Sequence, residues 1–100
     1  MVIWTEPTKV DLRSIHDFIA TDSRYYAKKV VQDIAAKTDI LASMPRIGRK
    51  VTEIDDDNIL ELLPYSYRLI YEIRKDNVFI LAVIHQRREL MPDMVEPAGG

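Results

Sequence analysis

The stretch that decides the fold is YRLIYEIRKDNVFILAVIHQRREL, residues 67–90. It contains two apolar runs rich in β-branched and aromatic residues, joined by a short charged turn, which predicts an antiparallel hairpin. In the first run, residues 67–74, alternating side chains indicate a strand with one face on a core and one partly open. In the second run, residues 78–84 are all apolar, which indicates a strand covered on both faces.

Positive charge gathers around this hairpin although the formal net charge of the chain is −2. Arg68 lies at the start of the first strand, and Arg87 and Arg88 follow the second. Arg46, Arg49 and Lys50 add to it from a preceding loop. Because the charge is unevenly distributed, the net value says little about partners, and the cations themselves are candidate contacts.

The composition is that of one folded domain. The chain has 100 residues, 47% hydrophobic and 30% charged, and no cysteine. The lack of cysteine excludes disulfides and thiolate chemistry and favours a reducing compartment, so we expect a cytoplasmic protein. The start has no basic leader, and the longest uncharged run, residues 77–86, is too short for a membrane span, so no membrane association is expected. We predict a single domain over residues 1–92 and a flexible tail over 93–100.

Two helices are predicted before the hairpin. The first begins near Pro7, which the first helical turn tolerates, and ends at about Thr21. The second is capped by Asp22 or Ser23 and stops near Met44, because a proline follows. Both carry apolar residues at the 3.6-residue period, so each docks one face on a core. Together they form a helical hairpin.

The remaining segments read as strands. Residues 2–4 form a short β-prone run at the start, and further strands are predicted at residues 51–54, 59–63, 67–74 and 78–86. We therefore predict an α+β fold, in which an N-terminal strand precedes a helical hairpin packed on an antiparallel sheet of about four strands.

Four segments, taken in order, resemble a known family: TEPTKVDLRSIHDFIA at residues 5–20, MPRIGRKV at 44–51, YSYRLIYEI at 65–73 and VFILAVIHQRREL at 78–90. Together they resemble the RelE/ParE superfamily of toxins from bacterial type II toxin–antitoxin modules, over about residues 2–90. The resemblance implies a compact toxin that a cognate antitoxin neutralises by laying helices and a strand on it. A hetero-oligomer with the antitoxin is therefore expected.

The superfamily contains two activities, and one is messenger RNA cleavage in the ribosome by RelE-like mRNA interferases. Arg68 and Arg87 match arginines that would hold the scissile phosphate, and they are the candidate catalytic residues under this alternative. The lysines of that branch are missing from residues 59–63, and no tyrosine occurs at 91–93. Attack by a 2′-hydroxyl needs a base and a cation, and Glu61 would repel the phosphodiester.

The other activity is the poisoning of DNA gyrase, known for the ParE-like branch. GRKV at residues 48–51, Glu61 ahead of Tyr67 and Arg68, and HQRR at 85–88 are similar to this branch. The leading hypothesis is therefore a toxin that contacts gyrase and is not an enzyme. A third hypothesis is a member that only binds its antitoxin and autoregulates transcription.

The hypothesis names two surfaces. The residues expected to bind the target or a phosphate are cationic or can become so: Arg46, Arg49, Lys50, Arg68, His85, Arg87 and Arg88. A sheet covered on one side only leaves apolar surface that marks a binding site. The residues expected to contact the antitoxin are apolar strand residues: Leu69, Tyr71, Phe79 and Leu81.

Plainer interpretations exist for the same cations. Arg68 could form an exposed cross-strand ion pair with Glu61. Arg87 and Arg88 could be charges that keep an apolar strand soluble. His85 has no partner at metal-ligand spacing and could be a surface residue.

No metal or cofactor is expected. The acidic run DDDN at residues 55–58 lacks the glycine and glutamate of a calcium loop and is interpreted as a turn. The chain also has no glycine-rich phosphate loop and no nucleophile elbow.

Overall fold

The computed structural model describes residues 1–95 of the chain. Two helices pack on one face of a five-stranded sheet. The helices are α1 (Glu6–Ala20) and α2 (Arg24–Lys37), and a 3-10 turn, Thr38–Ala42, extends α2. The strands are β1 (Val2–Trp4), β2 (Arg49–Lys50), β3 (Ile59–Leu62), β4 (Tyr67–Arg74) and β5 (Asn77–His85). A last 3-10 turn spans Pro92–Met94.

The predicted α+β architecture is confirmed, with a sheet of mixed direction. The strand order is β1-β5-β4-β3-β2, and β1 runs parallel to β5 while the other pairs are antiparallel. The N-terminal strand thus joins the sheet at its edge and makes the fifth strand. Because β1 pairs only with positions 78–80, no strand within residues 1–95 lies beside the second half of β5 on that side.

The helix ends follow local signals in the sequence. Pro7 lies in the first turn of α1, where its missing N–H costs nothing. Ser23 caps α2, and its side chain accepts a hydrogen bond from the backbone N–H of Tyr26 at 3.1 Å. The chain leaves the helical region before Pro45, as expected. These helices bury an apolar stripe against the sheet.

A β-bulge explains the unbroken apolar run of β5. The register of the β4–β5 pair shifts between Ile70 and Tyr71 of β4, and Leu81 is the extra residue on β5. Ile80 packs with the helix-facing core before the bulge, and Val83 does so after it. Leu81 and Ala82 both pack on the opposite side. A bulge changes the parity of side chains along a strand, so no simple alternation is left in the sequence.

The face of the sheet away from the helices is also covered. Its core contains residues from three strands, the segment after β2 and the end of the described chain, namely Val51, Ile59, Ile70, Leu81, Ala82, Ile84, Leu90 and Val95. Residues 51–54, predicted as a strand, form a turn in which the N–H of Ile54 bonds to the carbonyl of Val51. Their apolar character reflects packing on this face, because Val51 is completely buried.

Two residues beyond the predicted domain boundary at residue 92 pack on the sheet. Met94 packs against the core on the face away from the helices, and Val95 is buried in it. The domain boundary at residue 92 and the flexible tail over residues 93–100 stay predictions. The rest of the predicted tail, residues 96–100, lies outside the described residues.

Candidate functional site

Four charged side chains form one network across β2, β3 and β4. The two oxygens of Glu61 accept hydrogen bonds from Nε of Arg68 at 2.6 Å and from Nε of Arg49 at 2.7 Å. The two terminal nitrogens of Arg68 donate to the carboxylate of Glu53 at 2.7 and 2.8 Å. Arg68 therefore uses all three of its guanidinium nitrogens within the protein.

The fold builds this network from neighbouring strands. Arg49 of β2 lies opposite Glu61 of β3, and β4 brings Arg68 to the other side of Glu61. The turn after β2 carries Glu53 over the sheet. Glu61 has only 2% of its side chain exposed and Arg68 only 10%, so the predicted exposed ion pair is in fact a buried one. With two cations and two carboxylates, the network has no net charge.

The network shifts the pKa values of two of its members, Glu53 and Arg68. Hydrogen bonds from Arg68 lower the pKa of Glu53 from an ordinary value of 4.5 to about 2. Hydrogen bonds from Arg68 to Glu53, and then to Glu61, raise the pKa of the arginine above its ordinary range. Both groups therefore stay ionised throughout the physiological range, and neither is suited to exchange protons with a substrate.

The Glu53 pKa shift predicts a pH dependence of stability. Because the folded-state pKa is depressed, the contribution of Glu53 is complete above about pH 4.5 and is lost as pH falls towards about 2. We expect the free energy of unfolding, measured by urea denaturation from pH 6 to pH 2.5, to fall less steeply in Glu53→Gln than in the unmodified protein. Equal slopes for the two proteins would contradict the Arg68–Glu53 contact.

Two further predicted target-binding cations, Arg46 and Lys50, are paired with the acidic run at residues 55–58. Arg46 donates to the carbonyl of Asp57 at 3.3 Å and to the side-chain oxygen of Asn58 at 2.9 Å. Lys50 lies 2.9 Å from a carboxylate oxygen of Asp57, and this contact lowers the pKa of Asp57 and raises that of Lys50. The acidic run is a turn, as predicted, and it supplies the oxygen atoms that pair with both cations.

The cations after β5 are exposed. The backbone N–H of Arg87 donates to Nδ1 of His85 at 3.1 Å, and the ring of His85 meets Tyr67 edge-on with centroids 5.5 Å apart. Among residues 1–95, no hydrogen bond or ion pair occupies the guanidinium of Arg87. Of these two arginines, Arg68 is thus paired within the protein and Arg87 is not, and the predicted joint binding of a phosphate by Arg68 and Arg87 stays a prediction.

The predicted antitoxin contacts on the sheet need correction. Leu69 and Tyr71 are completely buried under the helices, and Leu81 is buried under the segments that cover the other face. Phe79 is partly buried against that second core. Leu69 and Tyr71 lie on the face that the helices cover, and only Leu81 lies on the face that the prediction left open, so none of the three is exposed to a partner in the free chain.

Three residues that lie beside the predicted cations are not identified by the sequence analysis: Glu53, Asp11 and Phe18. Glu53 lies in residues 51–54, which the sequence analysis interprets as a strand. Asp11 and Phe18 lie on α1 and line a cavity with Tyr67, His85 and Arg88 at the end of β5. A signal for Phe18 existed, because it falls outside the apolar stripe of α1 and an off-stripe aromatic residue is exposed.

Within residues 1–95, no group of three or more histidines, cysteines or carboxylates is placed to hold a metal ion. In the same part of the chain, no helix has both the length and the apolar character needed to cross a bilayer.

The family of the chain follows from comparison with known proteins. The family model of the ParE toxin of the type II toxin–antitoxin system parDE matches residues 2–90. A solved structure, described as a chromosomal ParDE TA system from P. aeruginosa, is similar in fold, with a TM-score of 0.69 and 20% identity over 84% of this chain and 92% of that chain. Curated protein sequences give no match. The resemblance found in the sequence is thereby confirmed, and the chain belongs to the ParE toxin family of type II toxin–antitoxin systems.

Proposed function

We propose that this chain is a toxin that poisons DNA gyrase by protein contact, that it has no catalytic centre of its own, and that a cognate antitoxin neutralises it. The observation that carries the proposal is the neutral, buried network around Arg68. This arginine is the residue on which a ribonuclease of this superfamily would depend.

The network argues against RNA cleavage on chemical grounds. A ribonuclease needs an available cation beside the phosphate and a base that can reach the 2′-hydroxyl. Arg68 already donates to two carboxylates, so a phosphate would have to displace one of them. Glu61 accepts hydrogen bonds on both oxygens and is almost completely buried, so it cannot reach a ribose.

A contact toxin instead needs an exposed surface with groups that a partner protein can bind. Arg87 is exposed, and its guanidinium is unpaired among the described residues. His85 and Arg88 lie exposed beside it. Arginine and aromatic residues are enriched in the regions of interfaces that dominate affinity. We therefore assign the end of β5 to the target contact and place its action in the cytoplasm, where gyrase acts on DNA.

The test compares charge reversals at the two ends of the β4–β5 hairpin. Arg87→Glu is expected to reduce growth inhibition and gyrase-linked DNA breaks by about tenfold or more, because it puts a repulsive charge into the contact. Arg74→Glu is the matched control, since Arg74 is an exposed arginine at the far end of the same strand pair. It should keep the activity of the unmodified toxin.

Several results would contradict the proposal. One is equal activity of Arg87→Glu and Arg74→Glu, which would remove the assigned surface. Another is growth inhibition without a DNA-damage response but with messenger RNA cut at fixed codon positions, which would establish the mRNA interferase instead. Growth inhibition with neither signal would also contradict gyrase poisoning, and no inhibition at all would favour a member that only binds its antitoxin.

A further inference from the structure

One exposed tyrosine lies in a backbone conformation that its side chain disfavours. Tyr65 has a φ of 55°, in the left-handed region, and Lys75 is the one other non-glycine residue with a positive φ among residues 1–95. A bulky side chain is uncommon in that region, because its Cβ comes close to the following carbonyl oxygen. Such a residue persists only where its surroundings hold it, and these residues cluster at functional positions. A tyrosine here, where glycine would be free of strain, therefore points to a role for its side chain.

Three contacts hold the turn that carries Tyr65. The backbone N–H of Tyr67 donates to the carbonyl of Pro64 at 3.0 Å and closes the turn. The backbone N–H of Gln86, the residue directly after β5, donates to the carbonyl of Ser66 at 2.8 Å. The side-chain amide of Gln86 donates to the carbonyl of Tyr65 at 3.4 Å. The turn between β3 and β4 is thus fixed to the end of β5, beside the surface assigned to the target.

The side chain of Tyr65 is held as well. Its hydroxyl donates a hydrogen bond to Oδ2 of Asp33 on α2. This bond raises the pKa of Tyr65 to about 12 and lowers the pKa of Asp33 below its ordinary value, so the hydroxyl stays protonated and the carboxylate ionised at neutral pH. An exposed hydrogen bond adds little net stability, because water competes for both groups. The bond therefore does not account for the disfavoured backbone, but it fixes a ring of which 45% remains exposed.

The tyrosine belongs to a continuous aromatic and cationic surface at one end of the molecule. Tyr26 of α2 is half-exposed and lies near enough to affect the pKa values of Tyr65 and Tyr67. The Tyr67 ring meets that of His85, whose Nδ1 accepts from the backbone N–H of Arg87. We call Tyr26, Tyr65, Tyr67, His85 and Arg87 the tyrosine surface. Tyrosine and arginine are enriched among the residues that dominate the affinity of protein interfaces.

We propose that Tyr65 is a preformed anchor of the contact with gyrase, and that it packs its exposed ring into an apolar pocket of the target beside acidic side chains that pair with Arg87. This inference rests on the proposed poisoning of gyrase, and it extends the target contact from the cations after β5 to the turn between β3 and β4. Lys29 lies 3.5 Å from the carboxylate of Asp33 and balances its charge, so the uncompensated charge beside Tyr65 is positive and an acidic partner is its complement. A ring that is fixed before binding loses less conformational entropy in the complex.

A protein partner is favoured over nucleic acid by the charge of the surface. Tyrosines also stack on bases, but proteins that bind nucleic acid in this way follow its backbone with a positively charged groove. Here only Arg87 and Arg88 are exposed beside the tyrosines, in a chain whose formal net charge is −2. The DNA that gyrase holds is therefore the alternative that the experiment has to separate from the enzyme itself.

The experiment measures the dissociation constant of immobilised gyrase, without DNA, for toxin variants by surface plasmon resonance. Tyr65→Gly removes the ring and relieves the backbone, so its melting temperature should change by no more than about 5 °C. Its dissociation constant should rise by about tenfold or more, as expected for an interface anchor. Tyr65→Asn is a second variant, because asparagine also tolerates the left-handed region, and it should show the same loss of affinity.

Lys75→Gly is the matched control. Lys75 has the same φ of 55° and lies in the turn at the other end of the β4–β5 pair, so the change relieves the backbone in the same way without touching the tyrosine surface. It should keep the affinity of the unmodified toxin.

Three results would overturn the inference. The first is equal affinity of Tyr65→Gly and Lys75→Gly for gyrase. The second is a loss of affinity seen only when gyrase holds DNA, which would assign the tyrosine to a nucleic-acid contact. The third is a large fall in the melting temperatures of both Tyr65→Gly and Tyr65→Asn, which would make the tyrosine a structural residue. Failure of the proposed function looks different, because the unmodified toxin itself would then neither bind gyrase nor cause DNA breaks, and this inference would fall with it.

Discussion

Replacing Arg68 by methionine is expected to lower the free energy of unfolding by about 3–5 kcal/mol, because removing one member of a buried pair leaves an uncompensated charge. The charge left behind is Glu61, which has 2% of its side chain exposed. Arg49 still bonds to one oxygen of Glu61, but the other oxygen loses its partner. Urea denaturation at pH 7 measures the loss.

A double variant keeps this prediction testable even if the single variant does not fold. Arg68→Met combined with Glu61→Leu removes both buried charges, and apolar replacement of a buried pair is often neutral or stabilising. Glu53 and Arg49 are more exposed and return to water. Most of the lost stability should be recovered. A double variant as unstable as the single one would contradict the buried-charge explanation.

Gly48→Ala is expected to lower the free energy of unfolding by about 1–3 kcal/mol through overpacking. A Cβ at this position would lie 2.5 Å from the hydroxyl oxygen of Tyr71 and 2.7 Å from the backbone carbonyl oxygen of Glu61. The Tyr71 hydroxyl is fixed, because it accepts from the N–H of Gly48 at 3.0 Å and donates to the carbonyl of Pro45 at 2.7 Å. Neither neighbour can move without breaking a contact of the core.

A double-mutant cycle between positions 48 and 71 identifies the cause of the destabilisation. In a Tyr71→Phe background, the nearest clashing atom is absent, so Gly48→Ala should cost clearly less than in the unmodified protein. The backbone carbonyl of Glu61 remains, so some cost persists. Thermal or urea unfolding of the four proteins in this cycle provides the measurement. Strictly additive costs would show that the tyrosine hydroxyl is not what excludes a side chain at position 48.

The order and type of the main elements could be predicted from the sequence because their signals are local. Pro7 and Ser23 mark the starts of the two helices, and alternation identifies β4. Signals that depend on tertiary contacts were misinterpreted. Residues 51–54 are apolar because they cover the sheet, which a local pattern cannot distinguish from strand pairing. The parallel pairing of β1 with β5 likewise joins segments that are far apart in the chain.

The site could be predicted in its residue types but less well in its geometry. The pairing of Arg68 with Glu61 was foreseen from neighbouring strands, and the structure contains it. The burial of that pair and the contact of Glu53 with Arg68 could not be predicted, because both depend on a turn that packs over the sheet. The cavity at the end of β5 could not be predicted either, since α1 and β5, which line it, are far apart in the chain and meet only in the folded protein.

Two features of the described residues support the proposed protein contact over RNA cleavage: the internally neutralised Arg68 and the exposed cations after β5. The first leaves no guanidinium nitrogen of Arg68 unpaired for a phosphate, and the second would provide the contact surface for a protein target. This arrangement requires a protein target that the exposed end of β5 can reach.

The most direct test uses purified DNA gyrase, supercoiled plasmid and the purified toxin, with detergent and protease added to reveal DNA held in the cleaved state. The account predicts that linear plasmid accumulates with increasing toxin and that Arg87→Glu accumulates much less of it than Arg74→Glu. Unchanged plasmid at every toxin concentration, together with cleavage of messenger RNA in the ribosomal decoding site by the same preparation, would contradict it.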